Sequence, residues 1–367
     1  MSRQITADML SQITDRLSME MFFSKVYSTS SKRPSLKAII LLSSIDVELL
    51  KIIVHKKYEL NSFNLIIDEL DDDLYRASLS RELSGIKHRG IFLLDTKYEG
   101  VWIVYTNYNT YYVSHVIESF FDKLYPRISR VYFNLNQMRD FVNIINKEYE
   151  GKSSVTSFTI KREEKPWKLP IRIPKIKGTL TLWEPDAEKE IEKLLKDYLI
   201  VIIRLNFDIK DSSGMRLLRA NITRKGKCSL HYGDFSNFTN KVIHNIIQYG
   251  IKWNSFYSER ERNVINKEIF INPFSIIYPE NIDYHDVIKL SNKLSSKYTC
   301  SIIHNGNPYF VANISDYEEG SSFGVTAIGK NVTITPIVKG TSVSTWKLTE
   351  TIQQTLGDGE IIQIDVI

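Results

Sequence analysis

A unit of strand, tight turn, strand, polar break and amphipathic helix can be read three times along this chain. The copies are GIFLLDTKYEGVWIVYTNYNTYYVSHVIESFFDKLYP (Gly90 to Pro126), MRLLRANITRKGKCSLHYGDFSNFTNKVIHNIIQYG (Met215 to Gly250) and SSFGVTAIGKNVTITPIVKGTSVSTWKLTETIQQTLG (Ser321 to Gly357). Each turn carries glycine, which supplies the left-handed backbone that short hairpin turns demand. The strands alternate, most cleanly at Val332-Thr333-Ile334-Thr335, as a half-buried strand should. Each helix has one apolar face. In the first it is Val113, Val116, Ile117, Phe120, Phe121 and Leu124; in the second Val242, Ile243, Ile246 and Ile247; in the third Trp346, Leu348, Ile352 and Leu356. The copies start at uneven intervals, so they do not form a solenoid. Hairpin-plus-helix is also common enough to arise independently. The pattern predicts an α+β protein: two domains of mostly antiparallel sheet backed by helices, with recurring ββα units.

At 367 residues the chain exceeds one typical core. The expected boundary is the proline- and lysine-rich stretch 153–178, between an N-terminal α+β domain (1–152) and a C-terminal one (179–367). Pro166, Pro170 and Pro174 fix φ and remove backbone donors there, which excludes a helix or a central strand and suits an extended linker. Elsewhere, Met9, Leu10, Ile13, Leu17 and Met21 predict one amphipathic helix from Thr6 to about Lys25. Leu36 to Ser43 reads as a buried strand, and Ile45 to Leu70 has no clean period. A strand and a helix ending at Gly151, a helix at 186–198, an apolar strand from Leu199 to Ile209 and a helix from Asp283 complete the pattern.

No apolar run approaches the ~20 residues of a membrane-spanning helix, and charges interrupt the start where an export signal needs an apolar core. Two cysteines, Cys228 and Cys300, fit a reducing compartment, so a cytoplasmic location is expected. The formal charge of +5 permits a nucleic-acid partner without requiring one.

Catalytic signals are thin. Asp95-Thr96-Lys97 has the acid-x-lysine spacing of PD-(D/E)xK nucleases, in which carboxylates hold a divalent metal and the lysine positions water. Asp68 is the candidate upstream acid. The competing reading is the polar end of a strand entering the KYEG turn. Cys228-x-x-His231 and Cys300-x-x-x-His304 could supply zinc ligands, but residues three apart on a strand face opposite sides. No nucleophile elbow, phosphate-binding glycine loop or paired-histidine signature is present. The chain is therefore expected to be non-enzymatic and to need no cofactor.

The basic signal is stronger. Lys161, Arg162, Lys165, Lys168, Arg172, Lys175 and Lys177 crowd the linker beside Trp167, and Arg219, Arg224, Lys225 and Lys227 surround the second hairpin turn. Such residues can track a phosphate backbone while an aromatic stacks on bases.

The C-terminal stretch NPYFVANISDYEEGSSFGVTAIGKNVTITPIVKGTSVSTWKLTETIQQTLGDGE resembles the end of APAZ domains: a Pro-Tyr strand, an acidic turn, Gly-Ser-Ser-Phe, a hairpin and a closing helix. APAZ proteins are partners of short prokaryotic Argonautes and are similar to the N-terminal and linker lobes of long Argonautes. The resemblance covers Gly178 to Ile367. It implies a short Argonaute as protein partner, a shared channel for a guide RNA or DNA and its target, and a role in antiviral defence. Many such partners carry a fused effector at the N-terminus. Residues 1–151 show no effector site beyond Asp95-Thr96-Lys97, which implies that the effector is a separate protein and this chain a scaffold.

Overall fold

The computed structural model of the protein describes residues 7–28, 35–56, 60, 62–124, 127–131, 133, 137–138, 141, 143–144, 153–162, 179–183, 200–258, 263–265, 268–306, 309–317, 320–340, 342–357 and 359–364. They form two compact units, Met1–Ile251 and Lys252–Ile367.

The first unit is built on one large sheet. Its strands are β1 (Leu36–Ser43), β2 (Phe63–Asp71), β3 (Leu74–Leu83), β4 (Ile86–Tyr98), β5 (Val101–Thr106), β6 (Ile128–Arg130), β7 (Ser153–Arg162), β8 (Thr179–Trp183), β9 (Ile200–Lys210), β10 (Arg216–Thr223) and β11 (Lys227–Gly233). The strand order is β2-β3-β4-β5-β1-β11-β10-β9-β7-β8, with β6 also on β1, and every pairing is antiparallel. All eight residues of β1 are buried, as its mostly apolar run predicts for a strand covered on both faces, and they include Lys37.

The first two ββα units flank β1. Strand β5 pairs with one edge of β1 and β11 with the other. Helix α1 is Arg16–Tyr27 and α2 is Val47–Lys56. Helix α3 runs through Thr110–Tyr112, a wider π-type stretch Val113–Glu118, and Ser119–Asp122. Helix α4 repeats that construction with Phe235–Asn237, Phe238–Ile243 and His244–Ser258. Both begin with a side-chain cap: Asn109 accepts from the Tyr112 amide and Asp234 from the Asn237 amide, each at 2.9 Å. Helix α3 buries Val113, Val116, Ile117, Phe120 and Phe121 against Ile39, Leu41, Trp102 and Val104. Helix α4 buries Phe238, Val242, Ile243, Ile246 and Ile247 in the core that holds Ala38, Ile40, Ala220, Cys228 and Leu230. Alternate residues of β1 thus serve two cores on opposite faces.

Two expectations change here. Residues 153–178 do not separate two cores: β7 and β8, on either side of the prolines, are hydrogen-bonded neighbours in the sheet that also contains β1. Val155, Phe158 and Ile160 share a core with Leu36 and Ile40. Proline restricts its own backbone but says nothing about which strands pair beyond it. The division falls instead at Ile251/Lys252, within α4.

The N-terminal segment is also not one helix. Ala7–Gln12 is a 3-10 helix, and α1 starts afresh at Asp15, whose side chain accepts from the Ser18 amide at 2.7 Å while Ser18 Oγ accepts from the Asp15 amide at 3.0 Å. This capping box resets the helical phase. Leu10, Ile13, Met19 and Phe23 are buried, whereas Leu17 and Met21, expected on the buried face, are 67% and 66% exposed.

The second unit contains a short hairpin, β12 (Asn263–Ile265) with β13 (Glu268–Phe270), and a six-stranded antiparallel sheet. Its strands are β14 (Phe274–Ile277), β15 (Thr299–Asn305), β16 (Tyr309–Asp316), β17 (Ser321–Ile328), β18 (Asn331–Val338) and β19 (Glu360–Gln363), in the order β15-β16-β17-β18-β14-β19. Helices α5 (Tyr284–Lys297) and α6 (Ser342–Leu356) contribute Leu290, Leu294, Leu348 and Ile352 to its buried set, with Phe310, Ala312, Ile314, Phe323, Val325 and Ile334 from the strands. The third ββα unit is β17-β18-α6. The protein is thus α+β, two antiparallel sheets with helices packed on them.

Candidate nucleic-acid interface

Side chains of a strand alternate between faces. Leu205, Phe207 and Ile209 of β9, Leu218, Ala220 and Ile222 of β10, and Cys228 and Leu230 of β11 all enter the core under α4. Their neighbours, Arg204, Asn206 and Asp208, then Arg219, Asn221 and Thr223, then Lys227, Ser229 and His231, therefore share the opposite face. Register aligns them. Thr106, Lys37, Ser229, Asn221, Asn206 and Ser157 are successive cross-strand partners on β5, β1, β11, β10, β9 and β7. Six polar side chains thus cross six strands in one row. Arg219 and Asp208 are partners in the row beside it, and Thr223, Arg204, Thr159 and Thr181 are partners on the other side.

The row is tied together. Asn206 Nδ2 donates to Ser157 Oγ at 2.8 Å, and Asn221 Nδ2 lies 2.7 Å from His231 Nε2. Burial pushes the His231 imidazole below its ordinary value, and the charges of Arg219, Lys37 and Arg204 push it further. A neutral ring lets Nε2 accept from Asn221, which leaves the ring proton on Nδ1. A bulge places His231 between the partners of Arg219 and Ala220.

The electrostatics are positive. Asp208 is 1% exposed and receives Arg216 Nε at 2.6 Å and Arg219 Nε at 2.8 Å. The Arg219 fork closes with Nη2 at 3.1 Å. The arginine side chains stay 40% and 41% exposed, so the buried carboxylate fixes both guanidinium planes while their outer edges meet solvent. Arg204 is exposed on β9 and pairs with no carboxylate among the described residues. At the margin, Lys227 donates to Glu118 of α3 at 2.8 Å, and Arg130 lies 3.3 Å from the same carboxylate. Burial raises Glu118, but Arg130 and Lys227 outweigh it and hold the carboxyl below its usual value. Lys37, 9% exposed, donates to the Tyr108 carbonyl at 2.6 Å; burial, reinforced by Lys227, pushes its ammonium down to about 8.

The sequence-predicted binding residues divide. Arg219 and Lys227 lie on this face. Arg224 instead turns toward the α4 side, donating to the Phe133 carbonyl at 3.1 Å, and Lys225 is exposed at the hairpin tip. Lys161 and Arg162 end β7, with side chains outside the described residues, and Lys165, Trp167, Lys168, Arg172, Lys175 and Lys177 lie outside them altogether. Lys37, Arg204, Arg216, Asn206, Asn221 and His231 were missed. The signal was present in Arg204-Leu205-Asn206-Phe207-Asp208-Ile209, a strict polar-apolar alternation hidden by the apolar residues before it.

The candidate nuclease residues are engaged otherwise. Arg16 donates to both oxygens of Asp95, at 2.7 and 3.0 Å, and the Lys97 amide donates to the same carboxylate at 3.2 Å. A guanidinium therefore occupies the position at which a nuclease carboxylate must meet a metal. Asp68 lies across the strand pair from Arg76, 3.9 Å away. Cys228 sits in the core with its thiol directed to the Ala38 carbonyl, while His231 is on the other face. Among the described residues no three His, Cys, Asp or Glu side chains are placed to hold a metal ion. No described helix is long and apolar enough to cross a membrane. No protein-family profile matches the chain, and no curated protein sequence matches it.

Proposed function

We propose that the protein is a non-catalytic nucleic-acid-binding subunit that grips a strand by its phosphates on the basic face of β11-β10-β9. The observation that carries this reading is the trio Arg204, Arg216 and Arg219, two of them oriented by the buried Asp208, beside a polar row that offers hydrogen bonds without apolar interruption. Arginine forks suit phosphate oxygens, and phosphate contacts position a strand without reading its sequence. The resemblance of the C-terminal stretch to APAZ proteins makes a short Argonaute the partner, with guide and target sharing the channel so completed.

The test is oligonucleotide binding by the full chain across a salt series, with single-stranded RNA and DNA, alone and with a co-expressed short Argonaute. Each phosphate contact on a single strand contributes about 0.7 to the slope of log affinity against log salt. The triple variant Arg204→Ala, Arg216→Ala, Arg219→Ala should flatten that slope by roughly two units, with similar loss for every sequence. An unchanged slope refutes the surface. Failure to co-purify with a short Argonaute refutes the partner and leaves the surface standing.

A further inference from the structure

Lys37 is the one lysine that β1 places in the polar row. A buried ammonium is costly unless a counter-charge meets it. Here the described partner is a neutral carbonyl, that of Tyr108, and no carboxylate pairs with it among the described residues. The charge that acts on it is of its own sign, Lys227 of β11. His231, on the same strand, feels Lys37 together with Arg219 of β10 and Arg204 of β9. The buried acids of this face and its margin are committed, Asp208 to Arg216 and Arg219, and Glu118 of α3 to Lys227 and Arg130. Ser229 lies directly across from Lys37 and Asn221 directly across from Ser229. The site therefore combines an uncompensated cation with neutral hydrogen-bonding groups, the chemistry that accepts an anion.

We propose that Lys37, with Ser229, Asn221 and His231, seats one phosphate of the bound strand at the floor of the basic face. This rests on the nucleic-acid reading above and makes one contact within it distinct. The arginines are permanently charged, whereas Lys37 loses its proton near pH 8 in the free protein. A seated phosphate favours the ammonium, so above that pH binding must draw a proton from solvent onto Lys37 Nζ. Phosphate and ammonium then neutralise each other, and no other bond changes.

The experiment uses the full chain and an oligoadenylate of about ten nucleotides, whose bases release no proton in the alkaline range. Affinity is measured from pH 7 to 9.5 at fixed salt. The wild type should weaken by up to about tenfold for each pH unit above 8. Lys37→Met should bind more weakly at pH 7 and show no such fall. Lys37→Arg should recover binding at pH 7 and also lose the fall, because arginine stays charged. Calorimetry at pH 9 in buffers of differing ionisation enthalpy should show uptake of about one proton by the wild type and none by either variant. A wild type that binds with the usual salt slope but takes up no proton overturns the Lys37 seat and leaves the arginine surface intact. Absence of salt-dependent binding at every pH overturns both.

Discussion

Replacing Lys37 with methionine should make the protein more stable. Methionine keeps the unbranched stem and removes the ammonium. Burial lowers the lysine from 10.5 to about 8, and each unit of such a shift corresponds to about 1.4 kcal/mol, so keeping this side chain protonated in the fold costs about 3 kcal/mol at neutral pH. Against that stands the hydrogen bond to the Tyr108 carbonyl, worth about 1 kcal/mol net. The desolvation term wins, and the variant should gain about 1 to 2 kcal/mol. The pH dependence has a definite sign. Between the folded and unfolded values the unfolded chain binds more protons at Lys37 than the folded one, so this residue's penalty is full below the folded value and disappears as pH rises toward the unfolded one. Urea unfolding of the full chain, read in the transition that carries β1, should show a higher midpoint for Lys37→Met at pH 7 and a smaller difference at pH 10. A variant less stable than the wild type by more than about 1 kcal/mol, or a difference that ignores pH, would refute this account of Lys37. A lysine kept at a net cost to stability is what a ligand contact requires.

Asp95→Ala should cost about 2 kcal/mol and speed proteolysis at the start of α1, because Arg16, only 24% exposed, loses its carboxylate partner and keeps only the Asp72 carbonyl at 3.4 Å as side-chain acceptor. Gly226→Ala should destabilise by about 2 kcal/mol or more in the same unfolding assay: φ is +64° and the added Cβ would lie 2.6 Å from the Val131 carbonyl oxygen. Glu118→Gln should weaken the fold at neutral pH. That deficit should close as pH falls through the folded value of Glu118, which lies below the usual one, since the wild-type carboxylate then also loses its pairing with Lys227 and Arg130; acid titration of the two midpoints checks the convergence.

Local structure was legible where one residue's neighbours along the chain decide it. The three hairpin-helix units, the buried strand β1 and the helix from Asp283 follow from periodicity and turn glycines, and all stand in the structure. Strands β2 and β3 were not legible. In β2 the apolar and charged residues alternate weakly because it is an edge strand with both sides partly exposed. The phase of α1 was misread because a two-residue polar signal, Asp15 and Ser18, overrides the longer apolar period. The polar face was half legible. Arg219 and Lys227 stand out as charges near a turn, but Lys37 and Arg204 are isolated charges in apolar strands, and only sheet order and register put them on one face. Cross-strand register is a long-range property that no local window contains.

The position of β1 also bears on how the chain can be made and cut. This strand lies near the start of the sequence, yet its partner β11 is not reached until Lys227. During synthesis, the Leu36–Ile39 edge of β1 must wait through more than a hundred residues beyond β5 for its partner, the situation in which partly made chains associate wrongly. A cut in the proline-rich stretch would not release a domain. It would divide one sheet, leaving β1 without β11 in the first fragment and β11 without β1 in the second. A fragment meant to fold by itself should therefore keep residues 1–251 together.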